Sequence, residues 1–364
     1  MKRFFGVVLA VVLCFATLGF TACVSNKTNE LIWYAEDMLK FCDKQTMTFP
    51  FPEEEGSRNV KIIADVYNVA VCNIEDNKVV INYTDNEKVD VTENFDETTE
   101  TVTITQQCKG TLLSVNVFLG LVVGIPESWT DFTLELDVDV SNLSIENSKA
   151  KTIKINGETS SVRITPYEQA NDSISIETNT GSVEFSGDTN NLQVEVGAGS
   201  VDVTGQINNL LDVQTNTGTI KLRDASVDNV KLATKTGSIN VDTFAIATKM
   251  DLFTETGSIQ LNGSAQTIIA QTNTGSIKVD SPTVTDLQLT TNTGSIKFTI
   301  DNTHKIYAKS NSGSIRGTIK GEKSLYTINV TQSSGSCNLH DQEGTSDRQL
   351  TVNASTGSIN VNFK

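Results

Sequence analysis

The sequence predicts an all-β fold built as a single-stranded β-solenoid, a right-handed β-helix of about ten to eleven coils of 18–22 residues behind an irregular β-rich N-terminal part. Three observations carry that reading. A motif seen most fully as Thr272-Asn273-Thr274-Gly275-Ser276-Ile277-Lys278-Val279 recurs down the second half of the chain, with glycines at Gly181, Gly199, Gly218, Gly237, Gly257, Gly275, Gly294, Gly313, Gly335 and Gly357, spaced 18, 19, 19, 20, 18, 19, 19, 22 and 22 residues apart. Around each glycine the side chains alternate with the period of two of an extended strand: Leu211, Val213, Thr215 and Thr217 before Gly218, Ile220 and Leu222 after it. The same positions hold the same residue type throughout. Seven residues before the glycine stands an Ile, Leu, Val or Met, from Ile174 to Leu350, and two after it an Ile or Val, with Cys337 the exception.

A hairpin meander with Gly-Ser as a two-residue turn would also give alternating strands. Stacking of like on like from coil to coil explains the repeat of one residue type at one position, which hairpins do not require, so the solenoid is preferred. Val196 and Ala198 replace the Thr pair in the second copy. Both Thr positions are therefore expected to face inward, with each hydroxyl bonded to the next coil. Outward positions such as Lys221, Asn240, Gln260, Lys278 and Arg316 vary freely, as solvent permits. Ten coils would stack to roughly 50 Å at about 4.8 Å each.

Taken in order, the chain divides into 1–22, 23–57, 58–150 and 151–364. Met1-Lys2-Arg3 and the apolar run from Phe4 to Phe20 have the form of a signal peptide, and Phe20-Thr21-Ala22-Cys23 resembles the lipobox of bacterial lipoproteins, with Phe20 where Leu is usual. Cys23 is then the lipidated first residue of the mature chain; the alternatives are ordinary cleavage or an uncleaved anchor. In 23–57, the spacing of Leu31, Tyr34, Ala35, Met38 and Phe41 predicts a short amphipathic helix that Phe49-Pro50-Phe51-Pro52 stops. Alternating runs at 60–66, 79–83, 89–91 and 102–104, separated by Asn, Asp and Glu clusters, predict short strands that open or cap the solenoid. Leu112 to Ile125 is too short and too polar to cross a bilayer and is expected as buried strand.

Charge is uneven. Without Lys2 and Arg3 the chain holds 26 basic and 44 acidic residues, a net of −18, of which −14 falls in 24–150 and −4 in 151–364. Such acidity repels phosphate backbones and anionic lipid, so nucleic acid is not an expected partner, and the membrane is met through the lipid anchor alone. Cys42, Cys72, Cys108 and Cys337 remain after the signal and the anchor; their spacing offers no metal site, leaves three pairings open, and places Cys337 as a small buried hydrophobe. No cofactor is expected.

The Gly-Ile-Pro-Glu segment at 124–127 followed by serial Thr-x-Thr-Gly-Ser-Ile coils resembles the bacterial putative-adhesin family of β-strand-repeat proteins, a family of unknown function often found exported. The resemblance covers 58–364. It implies a solenoid-like repeat fold and export, and it transfers no catalytic residue. The expected function is thus a non-catalytic exported lipoprotein that presents an extended surface for adhesion or scaffolding at the cell envelope. Candidate ligand-surface aromatics are Phe253 and Tyr307, outward by alternation, and Phe244 and Tyr326 in variable turns, with a glycan or a surface protein as ligand. A polysaccharide-degrading β-helix enzyme is the alternative, disfavoured because no two acids adjoin from Thr152 to Lys364 and because His304 and His340, 36 residues apart, read as solvated turn residues. A structural envelope spacer is the third reading.

Overall fold

The computed structural model divides the chain into Met1–Trp33 and Tyr34–Lys364. It describes residues 45–49, 58–84, 87–109, 120–167, 171–301 and 303–364, all in the second unit; the signal segment, Cys23 and the expected helix lie outside them. Among the described residues the fold is a β-solenoid of about eleven turns, and no helix is long and apolar enough to cross a membrane.

Parallel ladders join each coil to the next at the repeat spacing. Ile239 pairs with Ile259 and Ile259 with Ile277, while Met250 pairs with Ile268 and Ile268 with Leu287. These columns are buried, and the core runs unbroken from Val60 to Val361. Each inward Ile or Leu therefore packs mainly on its counterparts above and below, which is why the sequence holds the residue type fixed.

The corner is tighter than the motif alone implies. The glycine adopts a positive φ in nine of the ten copies, for example 150° at Gly257. A Cβ on Gly257 would come within 1.8 Å of the Gly237 carbonyl oxygen, and the other corner glycines meet a neighbouring coil's backbone at 1.8–2.3 Å. Two constraints, backbone conformation and closeness of the neighbouring coil, thus require glycine here.

One expectation at the corner holds in half. The Thr three residues before the glycine is buried, as at Thr215, Thr234 and Thr254, and its hydroxyl donates to the corner carbonyl of the preceding coil. The Thr one residue before the glycine, as at Thr217, Thr236 and Thr256, is exposed, not inward. The chain has already begun to turn there, so the alternation breaks and two successive side chains point out.

Both ends of the stack depart from sequence order. At the N-terminal end the strands are β1 (Gln45–Phe49), β2 (Arg58–Ile74), β3 (Val79–Tyr83), β4 (Val89–Asp96), β5 (Thr101–Cys108), β6 (Gly120–Pro126) and β7 (Phe132–Ser148). β2 lies parallel to β7 on one side and to β5 and β6 on the other. Antiparallel β4 on β5, β3 on β6 and β1 on β3 extend that end, and β6 is buried throughout, as expected for this part of the run from Leu112 to Ile125, whose residues 112–119 lie outside the described residues. At the C-terminal end Ile306 pairs with Leu350 and Ile315 with Ile359, so the last coil sits directly on the Gly313 coil. The Gly335 coil, earlier in sequence, stacks outside it through Ile328 on Leu350. A mutual pair of backbone hydrogen bonds between Ile328 and Gln342 covers the outer edge.

This arrangement corrects the reading of Cys337. It keeps its register, opposite Ile359, but it is exposed, because its coil is the outermost and its strand has dwindled to a single bridge. Cys72, Cys108 and Cys337 are free thiols; Cys42 lies outside the described residues.

Candidate binding surface

In-register stacking turns each outward position into a column, and one column carries a depression. Glu195, Gln214, Ala233 and Phe253 are register partners on four consecutive rungs. Ala233 offers only a methyl between longer neighbours. The resulting depression, about 220 Å³, is completed toward the corner by Asn216, Lys235 and Glu255, and its floor includes Val196, Thr215 and Thr234.

The polar groups around it are uncommitted. Among the described residues, Glu195, Asn216, Lys235 and Glu255 make no side-chain hydrogen bond or ion pair. Gln214 donates its amide to Asp212 at 3.2 Å, and Asp212 is in turn paired with Lys231 at 2.8 Å. At some other places on the ladders charges are matched across rungs: Arg163 with Glu184 at 2.8 Å, Arg223 with Asp202 at 2.6 Å, Lys320 with Asp301 at 3.1 Å. Two carboxylates, an ammonium and two amides around a half-buried phenyl ring offer hydroxyl-binding groups beside an apolar platform.

The four aromatics expected at the surface do not gather. Phe253 lines the depression. Tyr307 is half-buried three rungs further on, in the column of Asp251, Ile269 and Gln288. Phe244 has a side chain outside the description. Tyr326 is corrected outright: it is fully buried, its hydroxyl donates to the Thr303 carbonyl at 2.8 Å, and its ring lies 5.5 Å from that of Phe363. It seals the core under the outer coil. The alternation two residues before inward Ile328 carried that signal. The polar members of the depression come from four different coils, so no local pattern in the sequence marks them.

His304 and His340 are exposed. His304 shares a 3.0 Å hydrogen bond with Asp347, whose carboxyl that contact holds below its ordinary range. Among the described residues no group of three or more His, Cys, Asp or Glu is placed to hold a metal ion.

The described residues thus define a repeat scaffold of in-register coils whose outward columns carry uncommitted polar groups. The chain belongs to the Toastrack DUF4097 family, whose model matches residues 58–363. Among solved structures it is similar to a putative cell adhesion protein from Clostridium sporogenes, at 11% identity over 88% of this chain and 99% of that one, with a TM-score of 0.24. It is also similar to a putative adhesin from Parabacteroides distasonis, at 12% identity over 86% of this chain and 98% of that one, with a TM-score of 0.29. No match is found among the curated proteins.

Proposed function

We propose that the chain is a non-catalytic lipoprotein, held at the outer side of a bacterial membrane through Cys23, whose solenoid binds a glycan at the cell envelope. In this reading residues 1–22 are removed, 23–57 tether the fold, and the coils present the surface. The observation that carries it is the depression at Phe253 and Ala233, where a half-buried ring adjoins Glu195, Asn216, Lys235 and Glu255, whose side chains have no partner among the described residues. A sugar ring fits such a site because its apolar face stacks on the phenyl while its hydroxyls engage carboxylates and amides.

Between the two carboxylates that line the depression, spacing favours binding over cleavage; Glu177, one rung beyond Glu195, is not part of that lining. The rungs that carry Glu195 and Phe253 are three ladder steps, about 14 Å, apart, and Glu255 follows on the Phe253 rung. Glycoside hydrolysis needs its two carboxyl groups within about 5–10 Å. The test is a glycan-array screen of the whole chain beside Phe253→Ala and Glu255→Gln. Binding by the parent chain that both variants lose supports the reading; equal binding by all three, or release of reducing ends from a bound glycan, overturns it.

A further inference from the structure

On the other side of the Gly-Ser corner a second column behaves differently. Gln260 pairs with Lys278, Lys278 with Lys297, Lys297 with Arg316, and Arg316 with Asn360. Asn338 continues the line, its amide donating to Asn360 at 3.2 Å. These six rungs, about 24 Å long at about 4.8 Å each, carry hydrogen-bond donors and no carboxylate; beyond Gln260 the column continues through Asn240 and Lys221 before it reaches Asp202. The chain as a whole has a net charge of −16.

Three cations on consecutive in-register strands repel one another, and such a column is unfavourable unless something of opposite charge lies over it. Several other cations on these ladders, among them Arg163, Arg223 and Lys320, have found acids. Lys278, Lys297 and Arg316 have no ion-pair partner among the described residues, although Asp280 stands two residues beyond Lys278. The column owes its length to the out-of-order C-terminus, which brings Asn360, 44 residues further along the chain, beside Arg316.

We infer that this column is a binding track for an anionic polysaccharide, independent of the depression at Phe253. The track is one side chain wide and straight. Exposed Ser276 and Ser295 flank it on the corner side, and Thr299 and Thr318 flank it on the other, so hydroxyl groups accompany each charge. That pattern suits a linear polymer that alternates acidic groups with sugar hydroxyls. Among the described residues the face has no outward aromatic on which nucleic-acid bases could stack. A membrane would meet the acidity of the whole molecule, whereas a single polymer chain meets only the track.

The experiment measures retention of the whole chain on dextran sulfate and on polygalacturonate, with unmodified dextran as the neutral control and with a single-stranded oligonucleotide and phosphatidylglycerol vesicles as other anions. The sulfate and carboxylate arms identify which acidic group the track prefers. Expected are binding to at least one acidic polysaccharide, weakened by salt, and a loss of about tenfold or more in the triple variant Lys278→Ser, Lys297→Ser, Arg316→Ser. The variant Lys154→Ser, Lys249→Ser, Lys305→Ser, with the same charge change outside that column, should keep its binding, as should Phe253→Ala. The inference is overturned by no binding to either acidic polysaccharide, by equal losses in the two triple variants, or by binding of the oligonucleotide or vesicles as strong as that of the polysaccharides. Loss in Phe253→Ala would also overturn it, by assigning binding to the other face. Because the two sites fail in different variants, this result and that for the proposed glycan depression are separable.

Discussion

Thr254 donates its hydroxyl to the carbonyl oxygen of Gly237 at 3.0 Å, and a side chain on Gly257 would come within 1.8 Å of that same oxygen. One backbone atom of each coil thus ties down the next coil's threonine and excludes everything but glycine from its corner. The relation recurs from Thr215 with Gly199 to Ser310 with Gly294. Repetition in the sequence is the trace of a contact that must be made identically at every level.

Thr254→Val keeps the shape and leaves the Gly237 carbonyl without that donor, so it should lower stability by about 1–3 kcal/mol. Gly257→Val combines strain at positive φ with a backbone clash and should destabilise by more, about 4 kcal/mol or greater. Gln260→Val, on the outward face, should change little. Equilibrium unfolding in urea ranks the three; equal shifts would mean that the corner is not the constraint.

The repeat, its inward face and its corner were legible in the sequence because each is local: period two, a glycine, a β-branched neighbour. The order of the last coils was not. Residues near Gly335 and Gly357 present the same apolar column to any neighbour, so pattern alone makes the two coils interchangeable. Tyr326 was misread for a related reason. It stands in a lengthened gap that resembles a loop, yet its place two residues before Ile328 puts it on the inward face. The Phe253 depression depends on residues up to 60 positions apart in the sequence, from Glu195 to Glu255, which become neighbours only when the register is known.

Lys297 is the middle cation of its column. Lys297→Gln should raise the melting temperature at low ionic strength by relieving repulsion from Lys278 and Arg316, and the gain should shrink as salt is added. A melting temperature that falls would show that the three cations are not in mutual repulsion.

Asp139 presents the reverse case. Loss of solvent around its carboxyl, then the charges of Glu158, Asp65 and Asp137, raise its pKa above the ordinary 3.8. The folded state therefore binds the proton more tightly than the unfolded state, and stability falls as pH climbs from the unfolded value through the raised one. Asp139→Asn should accordingly stabilise at neutral pH and have no effect in acid below the ordinary carboxyl range, as thermal melts across pH would register.

The free thiols should separate by reactivity. Cys72 is half-buried, and the loss of solvent around its thiol, reinforced by Glu146, pushes it up to about 11, so it stays protonated near neutrality. Cys337 is exposed. Iodoacetamide near neutral pH should label Cys337 faster than Cys72; equal rates in the native state would contradict the partial burial and raised pKa of Cys72.

The out-of-order ends lead to the last prediction. In a solenoid stacked in sequence order, removing the final coil leaves the one before it in place, because each level rests on its predecessor. Here residues 348–364 lie between the Gly313 coil and the Gly335 coil. Truncation after Asp347 would therefore withdraw a middle layer, leaving Ile328 without Leu350 and Ile315 without Ile359. Tyr326–Ser334, though still encoded, would lose its ladder, and Tyr326 would lose Phe363. Amide exchange should then show 326–334 unprotected while the coils up to Gly294 keep their protection, and protease should cut between 321 and 347 first. Retained protection of 326–334 in the truncated chain would mean that this segment can dock on the Gly313 coil directly. The order of the two coils would then be set by the route of folding rather than by the contacts that the final strand makes.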